Sequence, residues 1–164
     1  MNVIIDFFAD VPLVFRTSIL LGGIVLFWIL EGIIPLYSFN YKKGRHAFLN
    51  LLFTTTTAII GFGFAFLLLK STEIVNEFQF GVIHFFELPL FVEVIISLLI
   101  LDLVGAYLVH FVEHKVPWMW KFHVIHHSDK NVDVTTGLRH HPGETVFRIL
   151  FTILGVYVSG ASIG

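Results

Sequence analysis

Leu90-Phe-Val-Glu-Val-Ile-Ile-Ser-Leu-Leu-Ile-Leu-Asp-Leu-Val-Gly-Ala-Tyr-Leu-Val-His-Phe-Val-Glu-His114 is the stretch on which the reading of this chain turns. Its apolar part, Leu90 to Val112, matches the roughly 20 residues a helix needs to cross the hydrocarbon of a bilayer. Glu93 and Asp102 interrupt it, and it then runs straight into His110 and His114. Residues four apart lie on one helix face, one turn apart. A membrane span is therefore expected to end in two imidazoles that point the same way.

Three more stretches extend the pattern: 17–37, 47–69 and 146–164. The composition agrees, with 56% hydrophobic and only 13% charged residues over 164 positions, where a soluble domain carries about 25% charged. The expected fold is an all-α integral membrane bundle of four spans with a cytoplasmic, His-rich helical cap, in a single membrane domain over 1–164. Asp6 and Asp10 precede the first positive charge, Arg16, so the first span is not a secretory signal. Lys42, Lys43 and Arg45 follow span one, and Lys115, Lys121, Lys130, Arg139 and Arg148 follow span three. Glu73, Glu77 and Glu87 follow span two. Lys and Arg stay on the cytoplasmic side, so the N-terminus is expected outside and the segment from Glu113 to Glu144 inside; in a bacterium this is the inner cell membrane. Residues 78–88 are expected in the outer interface. The net charge of -2 argues against a nucleic-acid partner. The last apolar run reaches Gly164 without a polar flank, the ending expected of a fragment of a longer protein.

Cysteine is absent, so a metal must be held by His, Asp or Glu. Seven of the nine histidines fall in three groups: His110 and His114; His123, His126 and His127; and His140 with His141, ahead of Pro142. In a helix, His123 faces both His126 and His127, and Pro117 suits the first turn of that helix. His141 is the stronger candidate of the last pair. A thiolate-free set of this kind suits Fe, Mn, Zn or Cu. It is too rich for one tetrahedral zinc and about right for two metals that share the electrons O2 requires. Asp102, Glu113, Asp129 and Glu144 are candidates to orient the imidazoles. An intramembrane carboxylate such as Asp102 is functional by default. His46 and His84 read as satisfied polar or interface residues, and Thr54 to Thr57 as groups that hydrogen-bond within the bundle.

The run Asp102, Tyr107, His110, His114, Trp120-Lys-Phe-His123-Val-Ile-His126-His127-Ser128 and Thr136-Gly-Leu-Arg139-His-His141-Pro142-Gly-Glu144 resembles the fatty acid hydroxylase / sterol desaturase superfamily of membrane di-iron enzymes. The resemblance covers about a quarter of the chain. It implies that His110, His114, His123, His126 and His127 are iron ligands, with His141 as a further candidate and with Arg139 and Glu144 among the supporting residues. It implies two non-haem irons, O2 as co-substrate, and hydroxylation, desaturation or ether oxidation of a lipid drawn from the bilayer. Electrons would come from a separate reductase or electron carrier. Phe111 stands where the family usually has Arg, and the family's further histidine boxes beyond the fourth span do not occur in this sequence.

Two other classes compete. His110-x-x-Glu113-His114 fits the inverted zinc-protease pattern, with Glu113 as general base, but leaves five clustered histidines unused. A non-enzymatic haem- or metal-binding membrane protein needs only two histidines per haem, and an i,i+4 pair on one helix cannot flank a haem.

Overall fold

The computed structural model describes residues 11–35 and 41–161, and among these no strand is formed. The element order is α1 (Leu13–Ile33), α2 (Lys43–Phe78), a 3-10 turn (Val82–Phe85), α3 (Leu90–Asp102), a π-helical segment (Leu103–Leu108), α4 (Val109–Lys115), α5 (Pro117–His127), a second 3-10 turn (Val134–Leu138) and α6 (Pro142–Ser159). All five prolines stand at helix boundaries: Pro12 and Pro89 cap α1 and α3, Pro35 follows α1, and Pro117 and Pro142 open α5 and α6. Proline has no N–H and disfavours helix in the residue before it, so it is tolerated at a helix start and ends what precedes it.

Three helical stretches are long and apolar enough to cross a membrane: Leu13–Ile33, Lys43–Phe85 and Leu90–Lys115. The last contains α3, the π-helical segment and α4. Of the expected 17–37 span, residues 36–40 lie outside the described residues. The expected 47–69 span is only the middle of α2, whose 36 residues correspond to about 54 Å, well beyond the ~30 Å hydrocarbon core. The helix continues past the polar residues at 70–77 because Ser71, Thr72 and Val75 are buried. The expected fourth span is not among the three. Residues 146–159 of it lie in α6, which has 18 residues and opens with Pro142-Gly-Glu144, and residues 162–164 lie outside the described residues. Glu144 and Arg148, in the first two turns of α6, take part in a polar cluster.

The packing is that of a membrane protein. Leu13, Phe62, Phe66 and Leu99 are 64–86% exposed on the outside, while Asn50, Ser71, Ser97 and Ser159 are buried. Small polar residues let helices approach closely and bond across the interface where no water is available. Thr54 bonds its own helix at Asn50 and the Leu138 carbonyl across the bundle, and Thr55 to Thr57 bond within α2, as expected. α6 is the central helix, packed on α2, α3 and the π-helical segment. At its far end a Cβ on Gly81 would lie 2.2 Å from the Gly160 nitrogen, so the two backbones touch only because neither residue has a side chain. His84 bonds the Gly160 carbonyl there. This end sits opposite the histidines, at the α6 N-terminus.

Candidate metal centre

α4 carries His110 and His114 on one face, as the spacing requires. Val116, extended at φ -95° and ψ 113°, breaks the helix before Pro117 restarts it as α5. The turn brings His123 and His127 against the α4 pair. The Nε2 atoms of His110 and His114 are 3.1 Å apart, and those of His123 and His127 are 3.0 Å apart. His110 and His123 rings are 4.6 Å apart, and His114 and His127 rings 4.8 Å. One nitrogen from each of the four lies within 4.8 Å of the others. Nitrogens about 2.0–2.1 Å from one metal at cis positions would be about 3 Å apart, so the spacing suits a shared ion. The donor set is four neutral nitrogens without thiolate, which fits iron, manganese, zinc or copper. His123 is buried, His110 half-buried, and His114 and His127 open to the outside. Trp120 packs its ring on both His114 and His127, at 5.0 and 5.6 Å.

Behind His123 lie two fully buried carboxylates, Glu113 and Glu144. His123 Nδ1 donates to Glu144 Oε1 at 3.1 Å and stands 3.5 Å from Glu113 Oε2. A hydrogen on Nδ1 leaves the lone pair on Nε2, the atom that faces the other histidines. Burial pulls the His123 imidazole down to about 4, against the opposing influence of Glu144, so the ring is neutral near pH 7. Burial alone would raise the Glu144 carboxyl, but hydrogen bonds and charge from His140 and Arg148 hold it at about 2. Gly143 permits this contact of α5 with α6, since a Cβ there would meet the Phe122 ring at 2.7 Å.

The other expected residues stand elsewhere. His126 stacks on His140 at 4.9 Å, and its Nδ1 is buried without a protein partner. His140 has both ring nitrogens engaged, by Glu144 and the Gly137 carbonyl. His141 caps α6, its Nδ1 accepting from Gly143 N–H at 2.9 Å. Arg139 bonds Ser128 and lies 3.8 Å from Asp129, supporting the loop rather than the histidines. Asp102, the last residue of α3, is exposed and has no hydrogen bond or ion pair among the described residues. Arg148 is the residue that the sequence reading missed. It was counted only as a positive charge, although its position four residues after Glu144 signals an ion pair on one helix face. Its Nε donates to Glu144 Oε1 at 2.9 Å.

Residues 94–163 match the model of the fatty acid hydroxylase family. This match and a distant relative support the fatty acid hydroxylase superfamily. Over 94% of its length the chain is 24% identical to the ornithine lipid hydroxylase OlsE of Rhizobium tropici, of which the match covers 48%. The chain thus spans about half the length of this relative. No solved structure matches. The matched segment begins within α3 and includes every histidine of the four-nitrogen cluster.

Proposed function

We propose that the chain is part of an O2-dependent, non-haem di-iron oxidoreductase that hydroxylates or desaturates a lipid. The observation that carries the reading is the convergence of His110, His114, His123 and His127 on one point, with Glu144 holding His123 in the tautomer that ligates. The match to the fatty acid hydroxylase family supports iron as the metal and a lipid as the substrate. These four histidines would hold one iron; His126 and His141 are the proposed donors toward the second. When bound, such a centre supplies the oxidising power for an unactivated C–H bond. The protein's own part is to keep the imidazoles neutral and convergent, and to set them at the end of a span where a lipid can reach them from the bilayer. Glu113 and Glu144 orient the ligands, and Arg139 and Asp102 are proposed to support the region from further out. Electrons come from a separate reductase or carrier, and the cluster faces the cytoplasm by the placement of Lys and Arg.

The test is elemental analysis of detergent-purified protein after anaerobic loading with Fe(II), followed by incubation with lipid extract, reductant and O2. Bound iron and a lipid that gains one oxygen atom, or loses two hydrogens, are expected. One tightly held zinc with no iron uptake would overturn the reading and favour a hydrolase with Glu113 as base.

A further inference from the structure

We propose that Arg148 is a positioning residue for the histidine centre, acting through the two buried carboxylates behind His123. The proposal rests on the four-histidine reading and extends it to a residue outside the histidine motifs. Glu113 and Glu144 have no solvent exposure, yet they approach the same imidazole nitrogen. Two carboxylates so placed repel each other in a medium that screens poorly. Neither Glu113 oxygen has a hydrogen-bond partner, and Glu144 Oε2 has none either. Arg148 is the cation that spans both: Nε donates to Glu144 Oε1 at 2.9 Å, and Nη2 lies 3.7 Å from Glu113 Oε2.

A planar guanidinium can serve two carboxylates at once, which a lysine ammonium does not do in the same geometry. Arg148 itself is not a ligand, and the structure places it one helical turn beyond Glu144 on α6, outside the set of four nitrogens. Its effect on a metal passes through Glu144 Oε1, the atom that holds the hydrogen on His123 Nδ1. Remove the cation, and repulsion drives the carboxylates apart. His123 then loses the partner that fixes its ring orientation and tautomer. Groups that orient a metal-binding histidine in this way are worth about 10–100-fold in metal affinity.

Co(II) is the probe, because its visible absorption reports the ligand geometry directly. Titrations of the detergent-purified full chain are compared for wild type, Arg148→Gln, Arg148→Lys and Glu144→Gln, with helicity followed by circular dichroism. Arg148→Gln is expected to weaken Co(II) binding about 10–100-fold and to shift the visible band. Arg148→Lys is expected to recover part of this, with a loss of about threefold to tenfold, since it can reach one carboxylate only. In the Glu144→Gln background, Arg148→Gln is expected to add little, because both act through one contact. Wild-type affinity and an unshifted spectrum in Arg148→Gln would overturn the proposal. Should that variant not fold, wild-type affinity in Arg148→Lys would overturn it equally. If wild type binds no Co(II), the histidine centre itself falls, and this proposal with it.

Discussion

Two histidine neighbourhoods of this chain behave oppositely. His46, at the start of α2, sits between two carboxylates: Nε2 bonds Asp129 at 2.8 Å and Nδ1 bonds Asp133 at 3.1 Å. Tyr41 donates to Asp133 and Thr136 to Asp129, so nearly every polar atom in this knot has a partner. Asp133 also caps the turn Val134–Leu138 through a capping box, and Glu31 of α1 accepts from the Val134 N–H. The knot ties α1 and α2 to the loop that follows His127. The four-histidine cluster has the reverse character. Its Nε2 atoms point at one another, and only His123 has a carboxylate behind it. Satisfied histidines hold a fold together, whereas nitrogens that face each other across 3 Å are arranged for something between them. The count of histidines does not distinguish the two; the partner of each nitrogen does.

The sharpest way to break this contrast is one alanine on each side. His123→Ala is expected to abolish metal retention, by a hundredfold or more in affinity, since it removes a ligand and the residue that connects to Glu144. Metal analysis after gel filtration would check it. His46→Ala is expected to leave metal affinity within about threefold. It should nonetheless destabilise the protein by about 3 kcal/mol, because two buried carboxylates lose their partner. Thermal unfolding in detergent is the readout, and metal loss in both variants would erase the distinction.

Acid should separate the two regions next. The His123 pKa is depressed in the folded state, to about 4, so the folded protein resists a proton that the unfolded chain accepts near 6.5. For metal-free protein, stability is expected to fall as pH drops from 6.5 towards 4, and a His123→Gln variant should flatten that slope. Asp129 and Asp133 are held below the ordinary carboxylate range: burial opposes this, but Thr136 and His46 on one, and Thr135 and Tyr41 on the other, outweigh it. Their contribution is fully present above the unfolded value of 3.8 and is lost only as pH falls through the lower folded values. The knot therefore outlasts the cluster on acidification, which pH-dependent melting curves of the two variants would test. The smallest effect is expected from Tyr41→Phe. It deletes one hydrogen bond to Asp133 and should cost about 1 kcal/mol, with no change in metal binding.

The helical membrane fold was legible because it rests on local features: long apolar runs, and prolines at the helix boundaries. The pairing of His110 with His114, and of His123 with His127, was legible for the same reason, since helix periodicity places them on one face. His46 was correctly expected to be a satisfied polar group. Its partners were not legible, because Asp129 and Asp133 lie 83 and 87 residues away in sequence. The apolar residues of the expected fourth span were legible, but no single motif revealed that Glu144 and Arg148 at the start of α6 stand in the cluster behind His123.

The sequence by itself determined which residues could form helices, which prolines stand at helix boundaries, and which histidines share a helix face. These depend on contacts within one or two turns. Only the tertiary structure decided which histidines meet across elements, which nitrogen of each is already bonded, and that Arg148 stands behind two buried carboxylates. Those outcomes depend on how α4, α5 and α6 pack, and packing joins residues whose proximity no local spacing encodes.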